Sequence, residues 1–201
     1  MVKAANPADT MLDRREAVTR LLANRGNAVV IAGLGSPTYD VHAAGDDHRN
    51  FYLWGAMGSA ALIGLGLAQA QPSRRVVVVT GDGEQLMGLG GLATIGAAKP
   101  RNLVVVVLDN GHFGETGMQK SHTGLGLDLA AVAATCGFAA TGVVNDMGGV
   151  SRIPVGDARE LAGPHFYVIK VRAETHPRSL PSRDAVHVKN RFMANFGLEP
   201  R

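Results

Sequence analysis

The chain has 201 residues, of which 26 are glycine, with 46% apolar and 18% charged side chains. That size allows one domain and excludes a second of ordinary size, and the apolar share excludes wholesale disorder. A single cysteine, Cys136, rules out a disulfide framework or a multi-cysteine metal site supplied by this chain alone, and the formal charge of +3, scattered over N-terminus, loops and tail, argues against a nucleic-acid surface.

In chain order, residues 1–12 read as a tail without a secretory signal, and 13–23 as a charged helix. The apolar run 28–32 reads as a strand, and 33–37 as a glycine-rich turn that opens no obvious helix. A polar loop at 43–50 leads to a short strand, 51–53, and a small-residue helix, 56–70. No charged residue falls between Phe51 and Ser73, but the glycines, Ser59, Gln69 and Gln71 favour a buried helix of a cytoplasmic protein over a membrane span. Next come a strand at 75–80, a turn at 81–83 and a helix at 84–98 stopped by Pro100. A strand at 103–108 precedes a long loop, 109–126. A helix at 128–136, a strand at 141–144, an irregular helical segment, a strand at 165–171 and a helical tail within 183–201 complete the order.

The valine runs 76–79 and 104–107 are apolar at every position. Strands of that kind are buried on both faces, as in a parallel sheet covered by helices. With the strand–helix alternation they imply a doubly wound, mainly parallel α/β fold over residues 1–201.

Ligands of such folds bind at the C-terminal ends of the strands. GLGSPT at 33–38 begins like a dinucleotide fingerprint but lacks its third glycine, and no P-loop lysine motif occurs. The turn Gly81-Asp82-Gly83-Glu84 is a stronger anion site, because two glycines at a helix start let an anion approach backbone N–H groups. Asp82 would repel that anion unless a divalent cation lay between them. Asn110, 28 residues on, returns at the end of the next strand, and carboxylate, amide and backbone oxygens are hard donors suited to Mg²⁺.

Three motifs in one order, FYLWGAMG, GDGEQLMGLGGLATI and LDNGHFGETGMQ, resemble the thiamin-diphosphate enzymes, and among them the small diphosphate-binding (β) chains of sulfopyruvate and phosphonopyruvate decarboxylases. The resemblance implies thiamin diphosphate and Mg²⁺ as cofactors. Asp82, the Asn110 side chain and the main-chain oxygen of His112 would hold the metal, with Gly81, Gly83 and Glu84 at the diphosphate. Ser36 would touch phosphate, although GSPTYD departs from the Arg-Glu pattern of those decarboxylases. Gly55, Ala56 and Met57 would face the pyrimidine and the bend of the cofactor, and Phe113 and Gly114 would lie beside it.

The loop after Asn110 is a candidate lid, with His112, Glu115, Gln119 and His122 as candidate catalytic groups. Lys120 and His122 suggest a substrate with a second acidic group. His42 and His48 sit in a polar loop and need not line a pocket. The family's pyrimidine-activating glutamate comes from a separate domain, and none of the six glutamates here is placed to replace it. The expected protein is therefore one subunit of a 2-oxo acid decarboxylase, partnered by a pyrimidine-binding (α) subunit in a heterotetramer or larger assembly. The alternatives are a carboligase, an oxidoreductase subunit (for which cluster cysteines are missing) and a non-catalytic cofactor-binding subunit.

Overall fold

The computed structural model describes residues 11–156 and 160–199; most of the expected N-terminal tail and the last two residues lie outside it. The elements are α1 (Arg14–Leu22), β1 (Val29–Ala32), α2 (Ser36–Ala43), β2 (Asn50–Tyr52), α3 (Ala60–Ala70), β3 (Val76–Gly81), α4 (Asp82–Met87), α5 (Gly91–Ala98), β4 (Leu103–Asp109), β5 (His112–Phe113), β6 (Gln119–Lys120), α6 (Leu129–Thr135), β7 (Ala140–Val144), α7 (Met147–Arg152), β8 (His165–Lys170) and α8 (Ala185–Ala194).

Six strands form one parallel sheet in the order β2-β1-β3-β4-β8-β7. The valine runs explain it. Val76, Val78, Val105 and Val107 face α3, α5, α6 and α8, while Val77, Val79, Val104 and Val106 face α1, α2 and α7. All of β4, and β3 from Val76 to Thr80, is buried, so a period of two is invisible in their sequence. Aspartates at the starts of α1, α6, α7 and α8 (Asp13, Asp128, Asp146 and Asp184) accept from first-turn N–H groups and set where those helices begin.

Four expectations change. Residues 33–38 do open a helix: Gly35 at φ +79° turns the chain and Pro37 sits in the first turn of α2, where its missing N–H costs nothing. Helix 56–70 begins only at Ala60, because Ala56 at φ +56° and Gly58 at φ +89° hold its expected first turn in a left-handed loop. Helix 84–98 is two helices, broken where Gly88 presses on the Gly58 carbonyl; a Cβ on Gly88 would stand 1.9 Å from that oxygen. The loop 109–126 contains the antiparallel hairpin β5–β6 and two 3₁₀ turns. The close packing of α3 is against its own sheet, since a Cβ on Gly64 would lie 2.3 Å from Val78. No described helix is long and apolar enough to cross a membrane.

Candidate functional site

Strands β3 and β4 are adjacent and in register, Gly81 opposite Leu108. That pairing places Asp82 and Asn110, one and two residues past their partners, at the same C-terminal edge. A cleft there is lined by Arg14, Ser36, Met57, residues 81–84, Asn110, residues 112–116 and Val171. Ser36, Met57, Gly81, Asp82, Gly83, Glu84, Asn110, His112, Phe113, Gly114 and Glu115 are thus brought together. Gly55 and Ala56 lie exposed on the adjoining turn, outside the lining. Gln119 and His122 are exposed and do not line it; the Gln119 side chain bonds back to Thr116. His42 points away to Ser179, at 2.7 Å, and the exposed His48 side chain lies 3.6 Å from Asp47.

Glycine is required where the hairpin meets the helix start. A Cβ on Gly83 would fall 2.7 Å from the Phe113 ring, and one on Gly35 would fall 3.1 Å from Glu115. Glu115 is held by Arg178 at 3.0 Å. Together these contacts lay the hairpin over the first turns of α2 and α4. His112 Nδ1 lies 2.7 Å from the Asn110 carbonyl oxygen. A carbonyl only accepts, so Nδ1 carries the proton and Nε2 of the neutral ring is the basic nitrogen.

Asp82 is buried, and burial raises its carboxyl pKa, with the charge of Asp109 acting in the same direction; hydrogen bonds from Ser121 and Thr123 oppose the shift. The Thr123 hydroxyl stands 3.0 Å from Asp82 Oδ2 and 2.7 Å from Asp109 Oδ1, but it has one proton to give. Asp109 is neutralised by Lys170, its ion-pair partner at the end of β8. Asp82 has no cation of its own among the described residues. A buried carboxylate beside a second acid, with Asn110 Oδ1 on the next strand, is a donor set that fits a hard divalent ion.

Ser121, Thr123, Asp109 and Lys170 escaped the sequence reading. Ser121 and Thr123 flank His122 at the entry to a 3₁₀ turn, and nothing in their polar run signals that both turn inward to Asp82. Glu84 is buried, accepts from Thr80 at 2.8 Å, and would clash at 1.9 Å with a Cβ on Gly33. Burial raises its carboxyl pKa, partly offset by Thr80 and by backbone N–H groups of Leu34, Gly58 and Ala60. Its side chain therefore ties the starts of α2 and α3 to α4, leaving its backbone for the cleft.

A parallel doubly wound sheet with a glycine-flanked acid and an asparagine at adjacent strand ends defines a class of cofactor-binding α/β domains. Residues 35–162 match the family described as thiamine pyrophosphate enzyme, C-terminal TPP binding domain, and the chain belongs to that family. It is 38% identical over 183 residues to the sulfopyruvate decarboxylase subunit beta of Methanothermobacter thermautotrophicus, covering 91% of this chain and 95% of that one. It is 45% identical over 193 residues to phosphonopyruvate decarboxylase of Streptomyces viridochromogenes, covering 93% of this chain but 47% of that protein. The chain thus spans about half the length of that relative. Benzoylformate decarboxylase from Polynucleobacter necessarius shares the fold, with a TM-score of 0.66 at 20% identity over 83% of this chain and 34% of that one.

Proposed function

We propose that the chain is the β subunit of a two-chain, thiamin diphosphate- and Mg²⁺-dependent 2-oxo acid decarboxylase acting on sulfopyruvate, phosphonopyruvate or a similar acid. The observation that carries this reading is the pairing of Asp82 and Asn110 on adjacent strand ends, at the glycine-rich start of α4. Asp82, Asn110 Oδ1 and the His112 carbonyl hold the metal. The N–H groups of Gly83 and Glu84 at the start of α4, with Ser36 at the start of α2, bind the diphosphate. When bound, thiamin diphosphate supplies the electron sink for loss of CO₂.

The chain's own groups then orient, shield and protonate. Met57 stands at the cleft as an apolar support, on a turn fixed by the Gly58–Gly88 contact. His112 Nε2 is the group that gives and takes a proton, its ring aligned by Asn110. The hairpin, tied down by Glu115 and Arg178, excludes water from the diphosphate side. Lys120 and His122, exposed on the hairpin's outer part, meet the substrate's second acidic group only when the assembled site closes over them.

A partner is part of the proposal. The cleft encloses about 130 Å³, less than the roughly 300–1,000 Å³ of sites that bury a whole small molecule. Met57 on its lining is exposed, as are Leu62 on α3, beside Gly91, and Met87 at the end of α4, beside Gly58. Such apolar groups at an open site fit a covering α subunit that also supplies the pyrimidine-activating glutamate. The test is co-purification of the native complex, calorimetry with thiamin diphosphate with and without Mg²⁺, and CO₂ release from a panel of 2-oxo acids. Tight Mg²⁺-dependent binding with turnover of an acidic 2-oxo acid is expected; binding without turnover of any 2-oxo acid would favour the non-catalytic reading.

A further inference from the structure

Resting on that cofactor reading, we propose that Arg14 contacts the terminal phosphate of the bound diphosphate directly, aimed there by Asp40. In the sequence Arg14 belongs to a charged run, Asp13-Arg14-Arg15-Glu16, of the kind that covers a solvated helix face. The structure buries it instead: Arg14 is 6% exposed, in the first turn of α1, and lines the cleft.

A guanidinium keeps its charge when buried, so it must find partners. Arg14 Nε lies 3.0 Å from Asp40 Oδ2, outside hydrogen-bond geometry. Among the described residues its Nη groups have no other partner. The neighbouring Arg15 is engaged through Nε, 3.2 Å from Asp40 Oδ1, and Nη2, 2.9 Å from the Pro177 carbonyl oxygen. Two guanidiniums therefore share one buried carboxylate, so Asp40 alone does not satisfy Arg14.

Among the described residues Arg14 is also the one arginine or lysine lining that cleft, alongside Ser36 at the start of α2 and Gly83 at the start of α4. A phosphate there would meet the Ser36 and Gly83 backbone N–H groups, the Ser36 hydroxyl and a planar, two-pronged cation. The acids lining the same space, Asp82, Glu84 and Glu115, supply no such attraction. A second source of the same anion chemistry is the acidic group of the substrate. Arg14 sits among the diphosphate-side residues, which favours the cofactor's phosphate.

The experiment compares thiamin diphosphate with thiamin monophosphate, titrated with Mg²⁺ and without substrate into the native complex carrying wild-type chain, Arg14→Gln or Arg14→Lys. Calorimetry reads both affinities. Arg14→Gln should weaken diphosphate binding roughly ten- to a hundredfold and leave monophosphate binding unchanged, with Arg14→Lys between wild type and Arg14→Gln. Unchanged monophosphate binding also shows that the variant is folded. Equal losses for the two compounds, or no loss for either, would overturn the contact. So would intact diphosphate affinity combined with a raised KM for the acidic substrate, which would assign Arg14 to the substrate instead. If wild type binds neither compound, the cofactor reading itself fails, a result that no Arg14 variant can produce.

Discussion

The two edges of the sheet both bury charge, and they do it differently. At the edge where β1 and β2 begin, Arg25 reaches Asp47 at 2.8 Å and also bonds Asn50, while Arg49 clamps Asp47 at 2.6 Å. That knot is closed: each carboxylate oxygen and amide meets a partner, and the hydrogen bonds from Arg49 push the Asp47 pKa well below the usual range. At the edge where the strands end, Asp82 and Glu84 have raised pKa values, chiefly from burial. There Asp82 has no cation partner among the described residues, and the Arg14–Asp40 pair is poorly aligned. Buried charge that closes on itself holds a fold together, whereas buried charge left incomplete is a site waiting for its ligand.

The largest effect should come from breaking the open edge. Asp82→Ala should weaken Mg²⁺-dependent cofactor binding at least about a hundredfold. It should barely move the thermal unfolding midpoint, because a carboxylate with a raised pKa contributes no ionic stabilisation. Calorimetry and a melting curve on the same sample check both halves. At the closed edge Arg25→Ala should do the reverse, costing about 2–4 kcal/mol in a denaturant titration while leaving cofactor affinity unchanged. If it weakened cofactor binding, the contrast between the edges would fail.

A smaller change tests how the Met57 turn is set. Gly88→Ala must push the Gly58 carbonyl away, costing about 1–3 kcal/mol. It should weaken cofactor binding as well, because the same turn carries Met57 to the cleft. The control is Gly96→Ala, which drives a Cβ to 1.7 Å from the Cys136 carbonyl oxygen, away from the cleft. It should lower stability alone.

The smallest effect is a pH dependence. Asp47 has a folded-state pKa below its ordinary 3.8, so its stabilisation is present above 3.8 and is lost as pH falls through the lowered value. The stability gap between wild type and Asp47→Asn should be full at pH 7 and close progressively below 3.8. Denaturant midpoints measured across that range read it. A gap that is constant with pH would show that Asp47 acts by packing rather than by charge.

The central strands were legible because unbroken valine runs leave few alternatives to a sheet buried on both faces. Asp82 and Asn110 were legible because a parallel crossover returns the chain to the same edge after a fixed length, so their spacing carried the geometry. The break at Gly88–Gly90 was not legible, because its cause, the Gly58 carbonyl, is thirty residues away. Arg14, Ser121 and Thr123 were missed for the same reason. Nothing in a charged or polar run says which member the fold will bury, and only Asp40 and Asp82, brought in from other elements, decide it. Gln119 on the hairpin and His122 just past it follow Asn110 closely in sequence, and in this chain both are exposed outside the cleft lining.

The most direct test of the account is CO₂ release from sulfopyruvate and phosphonopyruvate, with Mg²⁺ and thiamin diphosphate, by the purified chain alone and by the same chain joined to its co-purified partner. The small open cleft with Met57 exposed on its lining, and the exposed Leu62 and Met87 on α3 and α4, predict no release above buffer from the chain alone and restored turnover in the complex. Turnover by a homogeneous preparation of the single chain would contradict it.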